Sequence, residues 1–457
     1  MCACVPDRPV GSAVLRRPPG PKGVPLLGNA VPFGRDTLRF LTECTRLFGD
    51  LVAFRLGVWP VLMVNNPDDI ECVLVKNHRN FSKNRFFWRH VRAIFGVGLL
   101  TAEGEDWQRQ RRLIAPAFSG QRLNSYGAIM VRHTEELLNS WTVDERCNVH
   151  AEMMVLTLAI AAETLFGAQV KQDIADVERS SSVLTAEIST RFRRLIFIPD
   201  GIPIPGNLRY RRALGEVDRL VARIVGERRQ SGEDRGDLLS MLLLARYENG
   251  EPVSEHQIRD EVITMLLAGH ETTALTLSWT LYLLSRHPSI DSRLAAELRD
   301  VLGGRAPTVD DLPRLRFCEH VITEAMRLYP PAWALGREAV GDCEIGGYSV
   351  PAGTTIFIVP WVLHRDARHF EFPTEFRPER WEGGLAKQLP RFAYMPFGGG
   401  PRTCIGNRFA MMEAVLILAT IAQRFELRAQ DERPEPFASI TLRPKGGVWL
   451  KPQLRPT

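Results

Sequence analysis

No strong charge of either sign marks this sequence. Its 58 basic and 53 acidic residues give a formal net charge of +5 and are evenly mixed, which excludes the basic face that nucleic-acid binding needs. Paired cysteines are missing too. The eight cysteines, at positions 2, 4, 44, 72, 147, 318, 343 and 404, are scattered apart from Cys2-x-Cys4, with no Cys-x-x-Cys and no His-x-x-x-His. Neither a zinc site nor a disulfide framework is expected, and reduced thiols in a cytosolic protein are the default. Long apolar runs are absent from Met1 to Arg17, and the later stretch Glu261 to Leu284 is interrupted by His270 and Glu271. Neither a signal peptide nor a membrane span is therefore predicted, and a soluble cytoplasmic protein without a membrane anchor follows. What is present is ordinary: 45% hydrophobic and 24% charged residues suit a globular chain with a sizeable core, although 457 residues alone favour two or three domains.

The most unusual stretch is Phe397-Gly398-Gly399-Gly400-Pro401-Arg402-Thr403-Cys404-Ile405-Gly406. Three glycines and a proline remove side-chain bulk and fix a tight backbone just before one cysteine. Beyond it, Ile405, Phe409, Met412, Val415, Leu416 and Ala419 fall at helical spacing. The sulfur thus sits where a loop enters a helix N-terminus, whose unpaired N–H groups and dipole favour a thiolate. With no second cysteine or histidine beside it, such a thiolate suits one metal bond to a large, flat cofactor, haem being the obvious candidate. A buried structural cysteine is the bland reading and a low-pKa nucleophile the rival one. The nucleophile needs a general base, and no His or Asp is recognisably placed as one.

A second anchor runs from Ser254 to about Arg286. Ser254 with Gln257 makes a capping box, and the pattern that follows is apolar nearly all round, as in a core helix roughly 48 Å long. Ala268-Gly269-His270-Glu271-Thr272-Thr273 stands in its middle. A buried carboxylate and two threonines are costly there without a function or a hydrogen-bond network. Threonine back-bonding and Gly269 would open the helix locally, while His270 reads as structural or solvent-facing. Elsewhere, Trp107 and Arg111 lie four apart on one helix face. Glu324 and Arg327 lie three apart on a helix from about Leu312 to Leu328. Taken alone, the first pair is a solvated face and the second a surface ion pair. Phe81 to Thr101 is irregular and rich in aromatics, either a packing loop or a lid over an apolar pocket.

Together these stretches resemble the cytochrome P-450 superfamily. Phe397 to Gly406 fills every fixed position of its haem-binding signature, and Ala268 to Thr273 its Ala-Gly-x-Glu/Asp-Thr-Thr motif. Glu324-x-x-Arg327 matches the family's Glu-x-x-Arg, and Trp107-x-x-x-Arg111 its propionate-clasping helix, all in the family's order. The resemblance implies a mainly α fold with a small β region, haem lying between the long central helix and the helix that follows the Cys404 loop. It implies one domain over residues 18–457 after a disordered segment 1–17.

The implied cofactor is haem b (iron protoporphyrin IX), with Cys404 on the iron, Phe397, Gly398, Gly406 and Ala268 against it, and Trp107, Arg111, Arg337 and Arg402 on its propionates. By the same resemblance Thr272 hydrogen-bonds the activated oxygen, Glu271 relays protons, and Glu324, Arg327 and Arg380 form a buried network bracing the cysteine loop. The implied reaction inserts one oxygen atom of O2 into a C–H or C=C bond. Phe86, Phe87, Trp88, Phe95, Ala268, Trp333, Leu335 and Ile440 imply an apolar pocket and a lipophilic substrate, a terpenoid or a fatty acid. Electrons would reach this monomer of soluble bacterial type from a separate ferredoxin and its NAD(P)H-dependent reductase, with Arg109 and Arg112 as contacts for an acidic donor. The alternatives are a peroxide-driven enzyme, an isomerase and a non-catalytic ligand binder.

Overall fold

The computed structural model describes residues 17–83, 85–168, 174–193, 199, 201–247, 250–429 and 433–455. The segment 1–17 expected to be disordered falls outside them except for its last residue, and so do the side chains of Phe86 and Phe87. A helix of 32 residues, Glu255–Arg286, crosses the helical body, and Ser254 caps it by accepting from the Gln257 backbone N–H at 3.2 Å. Being apolar nearly all round, it is buried over most of its surface from Glu261 to Leu284. Helices Val149–Phe166, Arg316–Leu328 and Asn407–Arg424 pack around it and share one continuous core that includes Trp279, Leu266, Ile160, Val321 and Leu416.

The β region is small and stands beside the helices. Its main sheet has five strands in the order Leu51–Leu56, Trp59–Val64, Thr355–Ile358, Leu335–Ala339, Phe81–Ser82. The first two form a hairpin across Gly57, and Val61 to Val64 then run parallel to Thr355 to Ile358. This sheet brings Leu335 and Arg337, which pair with Ile358 and Ile356, to the edge of the helical body. A separate two-stranded hairpin, Glu435–Ala438 with Leu442–Lys445, lies near the C-terminus.

Three expectations need correction. Phe81 to Thr101 is not irregular: Arg85–Phe95 forms a helix whose Val91 and Ile94 are buried. The turn after it is fastened to the central helix, Val97 N–H donating to Asp260 at 2.7 Å and Leu99 N–H to Glu261 at 2.9 Å. The helix expected from Leu312 begins at Arg316, because Pro313 leaves Val309–Arg314 as a separate tight turn of helix. Finally, Val149–Phe166 is long and apolar enough to cross a membrane, contrary to the sequence reading, but 72% of it is buried inside the protein. Its apolar surface is used by the core.

Candidate functional site

The cysteine loop has the shape its composition demands. Gly400 has φ +70°, and a Cβ there would stand 2.0 Å from the Leu74 carbonyl oxygen; one on Gly399 would stand 2.1 Å from the Phe392 ring. Only glycine lets the loop pass this close to its neighbours. Cys404 N–H donates to the Phe397 carbonyl at 3.0 Å, and the helix Asn407–Arg424 starts three residues later. Cys404 stays accessible although protein surrounds it closely. That environment pushes the thiol above its ordinary value through burial, against the opposing pull of the Gly406 backbone and Arg111. The helix terminus alone therefore does not produce the thiolate that the sequence suggested. A bond to a metal would, since a coordinating thiol is deprotonated outright. The same shift argues against a low-pKa nucleophile.

Behind the loop, the Glu324 carboxylate, fully buried, accepts five N–H groups. Arg327 supplies two at 2.9 and 2.8 Å, Arg380 one at 2.9 Å, Trp381 one at 2.9 Å, and the Arg377 backbone one at 3.0 Å. Arg327 continues to the carbonyls of His364, Pro373 and Glu375. His364 Nε2 in turn accepts from Met395 N–H at 2.9 Å, just ahead of the cysteine loop.

To one side, cations crowd together. Arg402 donates to the Ala102 carbonyl at 2.7 Å and to Glu103 at 2.9 Å, and its guanidinium lies 4.4 Å from the centre of the Trp107 ring, with Arg111 5.8 Å away on the same ring. Arg337 donates to the Gly336 carbonyl at 2.9 Å. Burial first, then Arg402, pulls it down to about 10. Lys83, almost fully buried, is held well below its usual value by burial and by Arg402, Arg337 and Arg92. Glu103 is the carboxylate that faces this group. A cavity of about 230 Å³ adjoins it, lined by Phe81, Glu103, Trp107, Arg337, Gly399 and Arg402. Buried positive charge in excess of its counter-charge is costly, and two propionates are the kind of groups that balance it. The donor set fits the haem that the resemblance implies.

The central helix has one accessible window. Between Glu261 and Leu284 every residue is buried except Ala268, Gly269 and Thr272. Positions 268 and 272 share a face, so the window looks out on one side. Thr272 donates to the Ala268 carbonyl at 2.9 Å and Thr273 to the Gly269 carbonyl at 3.2 Å. His270 is buried with Nδ1 2.9 Å from the Leu266 carbonyl, which leaves the structural of its two readings. Glu271 pairs with Arg443, Nε to Oε1 2.8 Å, and accepts from the Thr441 hydroxyl. Burial works to raise its carboxyl, and Arg443, Thr441 and His270 together outweigh that and hold it below the ordinary value.

The expected pocket residues are spread over several elements. Trp333 is buried and donates Nε1–H to the Ser439 carbonyl at 2.8 Å; Leu335 and Phe95 are half-buried, as is Ile440. Trp88 carries Lys83 Nζ 4.2 Å above its ring. Sequence reasoning missed Lys83, Glu103, Thr441 and Arg443. A lone lysine in an aromatic stretch was the available signal for the first; no local spacing pointed to the others.

The sequence profile described as Cytochrome P450 matches residues 18–451. The chain is 38% identical over 434 residues, 93% of each chain, to cyclooctatin synthase of Streptomyces melanosporofaciens. It is 39% identical over 410 residues, 89% of each chain, to cyclooctat-9-en-7-ol 5-monooxygenase of the same organism. To pentalenene oxygenase of Streptomyces avermitilis it is 35% identical over 426 residues, 92% of this chain and 94% of the other.

Proposed function

The chain belongs to the cytochrome P450 family, and from that premise we propose that it oxidises a terpenoid with electrons delivered by a separate ferredoxin. As a member it is a haem-thiolate monooxygenase, an oxidoreductase that incorporates oxygen from O2 into a lipophilic substrate. When bound, the haem, here iron protoporphyrin IX, supplies the oxygen chemistry, and an axial thiolate favours O–O cleavage. The protein's own residues hold and orient. Cys404 supplies the ligand, and Arg402, Arg337, Arg111, Trp107 and Lys83 hold the acidic edge. Thr272 and Glu271 move protons at the window in the central helix, a general-acid role.

A terpenoid is favoured over a fatty acid for two reasons. The relatives whose names specify a substrate name an unsaturated alcohol and an olefin. The residues expected to line the pocket include no cation to hold a carboxylate. The observation that carries the reading is the buried cation cluster beside an accessible Cys404 in a glycine loop. The protein, soluble, cytoplasmic and monomeric in this reading, is tested by reconstitution with ferredoxin, reductase and NADPH under labelled O2. One labelled oxygen atom per product molecule is expected, with turnover slowing as salt rises. Unlabelled product, or equal turnover with peroxide alone, would overturn it.

A further inference from the structure

The turn of the C-terminal hairpin touches three parts of the molecule within five residues: the segment 331–333, the helix Ile174–Arg193 and the central helix. The Ser439 carbonyl accepts from Trp333 Nε1–H at 2.8 Å, and the Ser439 hydroxyl shares a hydrogen bond with Ser189 on the helix Ile174–Arg193. The Leu442 carbonyl accepts from Trp279 Nε1–H of the central helix at 3.0 Å, and Leu442 N–H donates to the Pro331 carbonyl at 3.0 Å. Thr441 and Arg443 hold the Glu271 carboxylate. Ile440 lies between them, half-buried against the main core.

Among the described residues the hairpin joins no larger sheet: four residues of Glu435–Ala438 pair with four of Leu442–Lys445, and with no other strand. A hairpin this short has little stability of its own, so these contacts set where it sits. A push at Ile440 is therefore delivered to Thr441 and Arg443, one and three residues away. The carboxylate they hold is 8% exposed, so losing them would leave a buried charge that takes up a proton. His270 and, beyond it, His150 are the other titratable groups facing this pair.

We propose that the C-terminal hairpin turn couples occupancy of the substrate pocket to the proton relay, with Arg443 and Thr441 as positioning residues for Glu271. With the pocket empty, the hairpin keeps the carboxylate turned away as part of an ion pair. A substrate pressing on Ile440 loosens that pair and lets Glu271 take up a proton beside Thr272. Proton delivery is thereby confined to the loaded enzyme. The inference rests on the proposed relay role of Glu271 and on Ile440 facing the pocket.

The test uses the haem-loaded enzyme and phenylimidazole, an aromatic azole that fills such a pocket by ligating the iron, at saturation judged from the haem absorption. In wild-type protein the azole should produce an infrared carbonyl band of a protonated carboxyl, absent in Glu271→Gln. Arg443→Met should show that band without the azole, Arg443→Lys should behave as wild type, and Ile440→Gly should lose the azole's effect. In turnover, Arg443→Met should waste reductant severalfold more per product. Wild type and Arg443→Met giving the same carboxyl signal with and without azole would overturn the coupling, and so would an undiminished azole effect in Ile440→Gly should Arg443→Met fail to fold. If Glu271→Gln leaves the solvent isotope effect on turnover and the use of reductant unchanged, the relay reading itself fails, which is a separate result.

Discussion

Behind Cys404, five N–H groups converge on the buried Glu324 carboxylate, whereas beside the central helix a two-stranded hairpin is set in place by hydrogen bonds spread over Trp333, Trp279, Pro331 and Glu271. The rear network ties the helix Arg316–Leu328 to the segment 364–381 and, through His364, to the start of the cysteine loop. Removing Glu324 or Arg327 strands a buried charge. The front is built from a short helix, a turn fastened to Asp260 and Glu261, and a hairpin. In the function proposed above, the cysteine side would hold a metal, which rewards one fixed geometry, and the hairpin side would receive a substrate, which rewards adjustment.

The comparison would break most visibly at its stiffest point. Glu324→Gln leaves Arg327 and Arg380 without their counter-charge, at an expected cost of ~3–5 kcal/mol. The variant should accumulate little folded, haem-containing protein, and a melting temperature within a few degrees of wild type would show the network to be dispensable. Gly400→Ala comes next. Its positive φ costs about 1–3 kcal/mol, and the new methyl meets the Leu74 carbonyl 2.0 Å away. The carbonyl complex should lose the red-shifted absorption of a thiolate-ligated haem; retention of that band would mean the loop tolerates side chains.

Lys83→Met sharpens the picture because its two effects have opposite signs. Without cofactor, deleting a buried cation among cations should stabilise the protein. With cofactor, losing a charged donor should weaken haem retention by about 1.5–3 kcal/mol, read as faster haem transfer to an acceptor globin. Two effects of the same sign would remove Lys83 from the acidic edge.

The smallest effect concerns Glu413, buried on the helix after Cys404 and lying against Thr273 of the central helix. Burial pushes its carboxyl up to about 8, well above the ordinary glutamate value, despite the Thr273 hydroxyl. The folded chain then keeps a proton that the unfolded chain releases, so stability should decline as pH rises from the ordinary range towards 8. Glu413→Gln should flatten that part of the profile in denaturant titrations at several pH values. An unchanged slope would place its source elsewhere.

Much of this was legible where chemistry is local. Ser254 caps the helix it was read to cap, and the glycine loop precedes a helix as its pattern required. The helix Arg85–Phe95 was missed because three adjacent aromatics obscured the helical spacing of Trp88, Val91, Ile94 and Phe95. Arg402 meets Glu103 across 299 residues, and Arg443 meets Glu271 across 172, distances at which no spacing rule operates.

By itself the sequence determined the glycine loop before Cys404, the central helix and the order of the motifs, since glycine, proline, capping and periodicity act within a few residues. Tertiary structure alone decided which charges share a buried space. It placed Lys83 among arginines and turned Glu271 onto Arg443, because electrostatic interaction depends on separation in space and on burial, and the fold sets both.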